Sequence, residues 1–146
     1  MTQKRNAGLL ISKIHQLSGR LLTQKSKQYK LDITPAQGRI IFVLWDKEEM
    51  PFQELLAKTQ LGKSTLSSMV KTLEKAGYLE RLDDPDDDRK KKIRLAKKDP
   101  NFQEKYLSIA KDMNQVFYHG LSEKNILQFE KTLEKVLKNL INASKG

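Results

Sequence analysis

The chain contains no cysteine, and that one absence excludes disulfides, thiolate metal sites and thiol-based redox sensing together. Histidine is nearly absent as well. His15 and His119 lie far apart with no paired cysteine or obvious carboxylate at ligand spacing, so packing or surface roles outweigh metal ligation. No run approaches the roughly 18 apolar residues that span a bilayer, and the N-terminus, MTQKRNAGLLISKIHQ, lacks the apolar core of a signal peptide. A cytoplasmic location is expected. The sequence also lacks a Gly-rich phosphate loop, H-E-x-x-H, G-x-S-x-G and any nucleophile paired with a base, so catalysis is not expected. The aspartates Asp83, Asp84, Asp86, Asp87 and Asp88 do not make a calcium loop, which needs a glycine at its sixth position and a closing glutamate at its twelfth. Neither a metal nor a cofactor is expected, and there are no internal repeats.

What is present is positive charge. At 146 residues, with 38% hydrophobic and 32% charged side chains, the chain reads as one soluble, helix-rich domain able to bury a core. Its net charge of +10 implies attraction to polyanions without implying sequence specificity. The charge is unevenly spread: residues 1–31 hold seven bases and no acid, whereas residues 99–146 hold seven bases against six acids. The positive field belongs to the first two-thirds of the chain.

Apolar spacing divides the chain into elements. Leu10, Ile14, Leu17 and Leu21 recur at gaps of four, three and four, predicting an amphipathic helix over 8–30. Thr34, Pro35 and Gln37 form a helix start, with Thr34 as N-cap and Gln37 at the capping-box position. A helix from 35 to about 46 follows, with Ile40, Ile41, Leu44 and Trp45 on its buried side, and 46–49 is expected as a polar loop. Pro51 opens a short helix through Lys58, and Thr59–Gly62 is the turn into the next helix, a helix-turn-helix pair. In that second helix Leu66, Met69, Val70, Leu73 and Gly77 form one stripe. Ser64, Ser68, Lys71 and Lys75 lie opposite, flanked by Thr65, Ser67 and Thr72, while Lys63 in the first turn opposes the helix dipole and gains nothing for folding.

Gly77 is placed to close this helix in a left-handed conformation. Tyr78–Leu82 and Lys91–Leu95 then read as hairpin strands, with DDPDDDRKK between them expected to project as a loop. Beyond it, a helix starts at Asp99 or Pro100, Gly120 breaks it, and Ser122 caps a last helix. Leu10, Ile14 and Leu17 of the first helix and Ile126, Phe129, Leu133, Leu137 and Leu140 of the last leave more apolar edge than a small core covers, which argues for a subunit interface.

The order helix, turn, helix, charged hairpin, with D-x-R at Asp87 and Arg89, resembles the MarR family of winged helix-turn-helix transcription regulators. The stretches that carry the likeness are ITPAQGRIIFVLW, STLSSMVKTLEKAGYLER, PDDDRKKKIRL and LSEKNILQFEKTLEKVLKNL. The pattern departs at Ala96, where threonine is usual, and at Asp88. The resemblance implies a mainly α fold with a small β-hairpin wing. It divides the single domain 1–146 into a helical dimerisation region, 1–31 and 99–146, around a winged helix-turn-helix, 32–98. It further implies a homodimer that reads a pseudo-palindromic operator in double-stranded DNA, a repressor released by a small ligand. Lys63, Ser64, Thr65, Ser67, Ser68 and Lys71 would then face the major groove. Asp87 would orient Arg89, which with Lys90 and Lys91 reaches the minor groove or the backbone. Tyr29, Phe42, Trp45 and Tyr118 are candidates for lining an effector pocket, although they read more readily as core aromatics. The alternative function is a winged-helix module for protein contact or non-specific polyanion binding.

Overall fold

A computed structural model describes residues 3–47, 49–84, 87–96 and 100–145, with the side chains at 84, 87–90 and 100 outside that description. The elements run α1 (Ala7–Gln28), α2 (Pro35–Lys47), β1 (Glu49–Pro51), α3 (Phe52–Thr59), α4 (Lys63–Lys75), β2 (Leu79–Asp84), β3 (Asp87–Leu95), α5 (Pro100–Phe117) and α6 (Glu123–Ser144). The class is mainly helical with a small antiparallel sheet, in the strand order β1-β3-β2.

The chain divides into two compact units, Met1–Ile109 and Ala110–Gly146. The first contains α1 as well as the helix-turn-helix. α1 lies close on α2: a Cβ built on Gly19 meets the Pro35 ring at 3.8 Å, and one on Gly38 meets Leu22 at 3.9 Å. All fourteen buried apolar side chains among the described residues fall between Leu31 and Ile109. Ile40, Ile41 and Leu44 of α2, Leu55 of α3, and Leu66, Val70 and Leu73 of α4 converge there, each no more than 1% exposed. Full burial of one such side chain is worth about 1.5–3 kcal/mol. Aromatic rings extend this core: Trp45 stacks on Tyr106 at 4.9 Å, and Tyr78 packs on Phe102 at 4.6 Å, which ties the start of α5 to α2 and to the base of the hairpin.

The helix ends follow local chemistry. Thr34 N–H donates to Gln37 Oε1 at 3.1 Å and Gln37 N–H to Thr34 Oγ1 at 3.2 Å, a reciprocal capping box that opens α2. After α4, Gly77 adopts φ +88°, and the Tyr78 and Gly77 N–H groups donate to the Leu73 and Glu74 carbonyls at 3.0 and 3.1 Å. That is a Schellman closure, which a β-carbon at position 77 would strain. Ser122 Oγ accepts from the Asn125 N–H at 3.1 Å and caps α6.

Two expectations need correction. The polar loop expected over 46–49 is shorter, since α2 runs to Lys47 and Glu49 already belongs to a strand: Glu49, Met50 and Pro51, the last expected to open a helix, pair with Arg94, Ile93 and Lys92, because Met50, 1% exposed, is drawn into the core. The hairpin tip is also shorter than a projecting loop, since β2 continues to Asp84 and β3 resumes at Asp87 with these two residues paired. A backbone ladder is indifferent to side-chain charge, so aspartates and lysines extend the strands.

Candidate nucleic-acid interface

The buried stripe of α4 decides what its other face can do. With Leu66, Val70 and Leu73 fixed in the core, Lys63, Ser64, Thr65, Ser68, Lys71, Thr72 and Lys75 are exposed and Ser67 is half-buried. The buried stripe holds Met69 only partly. The exposed face carries hydroxyls and cations along most of its length, and its first turn contains no acid.

The turn before α4 sets the angle of this face. Gln60 takes the left-handed conformation at φ 55°, steadied by its own side chain, whose Nε2 donates to the Ala57 carbonyl at 2.7 Å. Thr59 Oγ1 donates to the Leu55 carbonyl at 2.8 Å. Upstream, Lys47 Nζ reaches both Glu54 carboxylate oxygens at 2.9 Å and joins the end of α2 to α3. That hydrogen bond, helped by the lysine charges nearby, holds the Glu54 carboxyl below its ordinary pKa.

The hairpin stands beside α4. Across its ladder Glu80 pairs with Arg94, whose Nε donates to Glu80 Oε2 at 3.1 Å. The register then shifts: from the Leu82–Lys92 pair to the Asp84–Asp87 pair, β2 advances two residues and β3 five. Arg89 and Lys90 lie in that bulged stretch, the kind of irregularity that re-aims side chains at functional edges. The side chains of Asp87, Arg89 and Lys90 lie outside the described residues.

Between α4 and the hairpin is a cleft of about 440 Å³ lined by Phe52, Gln53, Lys63, Ser64, Ser67, Arg81, Lys91 and Ile93. It unites four of the residues singled out from sequence, Lys63, Ser64, Ser67 and Lys91, with one that sequence reasoning missed, Arg81. Strand register alone reveals it: Arg81 stands opposite the buried Ile93, the same residue that anchors β1.

Residues 33–91 match the model of the MarR family. The winged region is similar to the MarR family domain. Solved structures extend the likeness over most of the chain. A cysteine-to-serine mutant of E. coli MarR complexed with operator DNA is 26% identical, with a TM-score of 0.74 over 89% of this chain and 92% of that one. The S. aureus MepR–DNA complex is 25% identical, with a TM-score of 0.77 over 93% of this chain and 99% of that one. Bordetella bronchiseptica BpsR, at 19% identity and a TM-score of 0.75 over 93% of this chain and 97% of that one, shares the fold. No curated protein matches the sequence.

Outside the matched region, the residues expected at a subunit interface are largely open. Leu10, Ile14 and Leu17 of α1 are 53%, 41% and 60% exposed, and Leu133, Leu137 and Leu140 of α6 are 38%, 50% and 64% exposed. Ile126 and Phe129 are half-buried, Phe129 within 6.4 Å of the Phe117 ring. The effector-pocket candidates have varied surroundings. Trp45 is in the aromatic stack, Tyr29 is half-buried, Phe42 is exposed, and Tyr118 meets the edge of Phe117 at 4.9 Å. Burial, and secondarily the Glu130 charge, pushes the Tyr118 phenol pKa up. Among the described residues no cluster of acids and histidines could hold a metal ion, and no helix is long and apolar enough to cross a membrane.

Proposed function

We propose that the protein is a dimeric, sequence-specific DNA-binding transcription regulator. The observation that carries the reading is the acid-free start of α4, whose exposed hydroxyls and lysines stand beside Arg81 and Lys91 of the hairpin on a scaffold similar to that of the MarR family. The relatives that share 25% and 26% identity over nearly their whole lengths are described in complex with DNA. In this reading Ser64, Thr65, Ser67, Ser68 and Lys71 meet base edges and phosphates in the major groove, while Lys63 and Lys91 neutralise the backbone. α1 and α6 pair with a second copy, and the two reading heads then address half-sites about one DNA turn, ~34 Å, apart. The regulator represses, and a small ligand releases it.

A salt titration tests the reading. Binding to duplexes from the gene's own upstream region is compared with binding to scrambled duplexes of equal length. A preference that persists at matched ionic strength is expected, because counterion release is blind to sequence. Equal affinity for both duplexes at every salt concentration would favour the non-specific polyanion reading instead. Within the wing, Arg89→Ala should weaken binding to the preferred duplex by roughly 1–3 kcal/mol. Asp87→Asn should weaken it too, through lost orientation of Arg89. Tighter binding by Asp87→Asn at matched salt would show that this aspartate only repels the backbone.

A further inference from the structure

The cleft between α4 and the hairpin gathers three cations, Lys63, Arg81 and Lys91, and no carboxylate is among the described residues that line it. Arg81 brings a buried donor with an unmet hydrogen bond. Its Nε is buried without a hydrogen-bond partner among the described residues, and the Glu74 carboxylate stands at 3.8 Å, within ion-pair range but beyond a hydrogen bond. A buried donor left unpaired is costly, and native folds leave few of them. The start of α4 adds to the field: Gly62 caps it without a side-chain acceptor and no acid occupies its first turn, so backbone N–H groups and the helix dipole favour an anion there. Ser64 and Ser67 supply hydroxyls, while Phe52 and Ile93 supply an apolar wall.

We propose that this cleft seats one backbone phosphate of the bound duplex, with Arg81 as its central cation and the flanking sugar against Phe52. The proposal rests on the DNA-binding reading and deepens it. The cleft is walled by α4 and β3, the two elements that reading sets against the duplex, so a phosphodiester is brought to it as the helix docks. Such a contact fixes register and carries no base preference.

The test is a salt titration of the parent, Arg81→Gln, Arg81→Lys and Glu74→Gln on preferred and scrambled duplexes. Arg81→Gln should weaken both by roughly tenfold, as expected for a lost charged hydrogen bond, and lower the salt slope by about one. Arg81→Lys, which keeps the charge, should restore the slope, and Glu74→Gln should leave it unchanged. Where Arg81→Gln lowers the melting temperature, Lys63→Gln, on an exposed lysine of the same cleft, should reproduce the loss of slope in a stable fold. A parent that prefers its duplex while neither Arg81→Gln nor Lys63→Gln changes the slope overturns the phosphate seat and leaves the DNA reading standing. Glu74→Gln mimicking Arg81→Gln also overturns it, since Arg81 would then act through its ion pair. Inorganic phosphate that stabilises the DNA-free parent but not Arg81→Gln, with unchanged slopes, would assign the cleft to a free anion. A parent with no duplex preference removes the sequence-specific reading, and the seat then stands or falls on the change of slope in Arg81→Gln and Lys63→Gln alone.

Discussion

Helices α4 and α6 are both amphipathic and cleanly terminated, yet they keep their apolar stripes in opposite conditions. α4 buries Leu66, Val70 and Leu73 to 1% exposure or less, while α6, nine residues longer (22 against 13), buries none. Periodicity alone does not distinguish them, because a moment records only that one side is apolar. The difference lies in what covers that side. The α4 stripe is closed into the core of its own unit, with β2 of the hairpin against the helix, whereas in the second unit Leu133, Leu137 and Leu140 are 38%, 50% and 64% exposed. A stripe maintained without a partner in its own chain is expected to find one in another.

The sharpest way to break this contrast is to charge the α6 stripe. If α6 is the dimer seam, Leu137→Asp removes burial on both protomers, roughly 3–6 kcal/mol at 1.5–3 kcal/mol per leucine, before the cost of desolvating two carboxylates. Sedimentation should then show monomer where the parent is a dimer at micromolar concentration. An unchanged dimer would move the interface away from α6. Next in size is the core of α4. Leu66→Ala should cost 2–5 kcal/mol of folding stability in chemical denaturation, because the fully buried site leaves a cavity. In the monomeric Leu137→Asp background, Leu140→Ala should cost within about 0.5 kcal/mol, as surface substitutions do. Equal costs for the two alanines in that background would erase the distinction between the helices.

How much of this was legible in the sequence depended on how local the cause is. The capping box at Thr34 and Gln37, the left-handed Gly77 and the burial of Leu66, Val70 and Leu73 are set within a turn or two of chain and agree with the sequence reading, whereas Met69 of the expected stripe is half-buried and Gly77 lies exposed beyond the helix. β1 was not, because three residues show no period and their partner, Ile93, is 43 positions away (93 − 50). The extra ladder in the wing was missed because charged residues read as a loop although the backbone pairs regardless. Arg81 was missed for a similar reason. As a residue of the hairpin it is one base among many, and only the register opposite Ile93 brings it to the start of α4. Its role is a property of three elements meeting, which no single window of sequence contains.

The smallest expected effect compares tyrosines of the two units. Tyr106, stacked on Trp45 in the first, has its phenol pKa pushed up to about 12 by burial, against about 10 for an unfolded tyrosine. Below pH ~10 the hydroxyl keeps its proton folded or unfolded, so it contributes no pH dependence. Between about 10 and 12 the unfolded chain releases the proton first, the native state binds more protons, and stability falls as pH rises. Tyr106→Phe keeps the ring and abolishes that ionisation. At neutral pH it should change stability by no more than about 1 kcal/mol, the scale of one hydrogen bond. Across the alkaline window it should lose less stability than the parent, followed through the fluorescence of Trp45, the only tryptophan. Tyr118→Phe provides the comparison: Tyr118 belongs to the unit with no buried core, and its phenol should ionise before that of Tyr106 in a spectrophotometric titration. If Tyr106 ionises first, or if Tyr106→Phe and the parent lose stability in parallel from pH 10 to 12, then the aromatic stack does not exclude water, and the firm packing assigned to the first unit ends before α5.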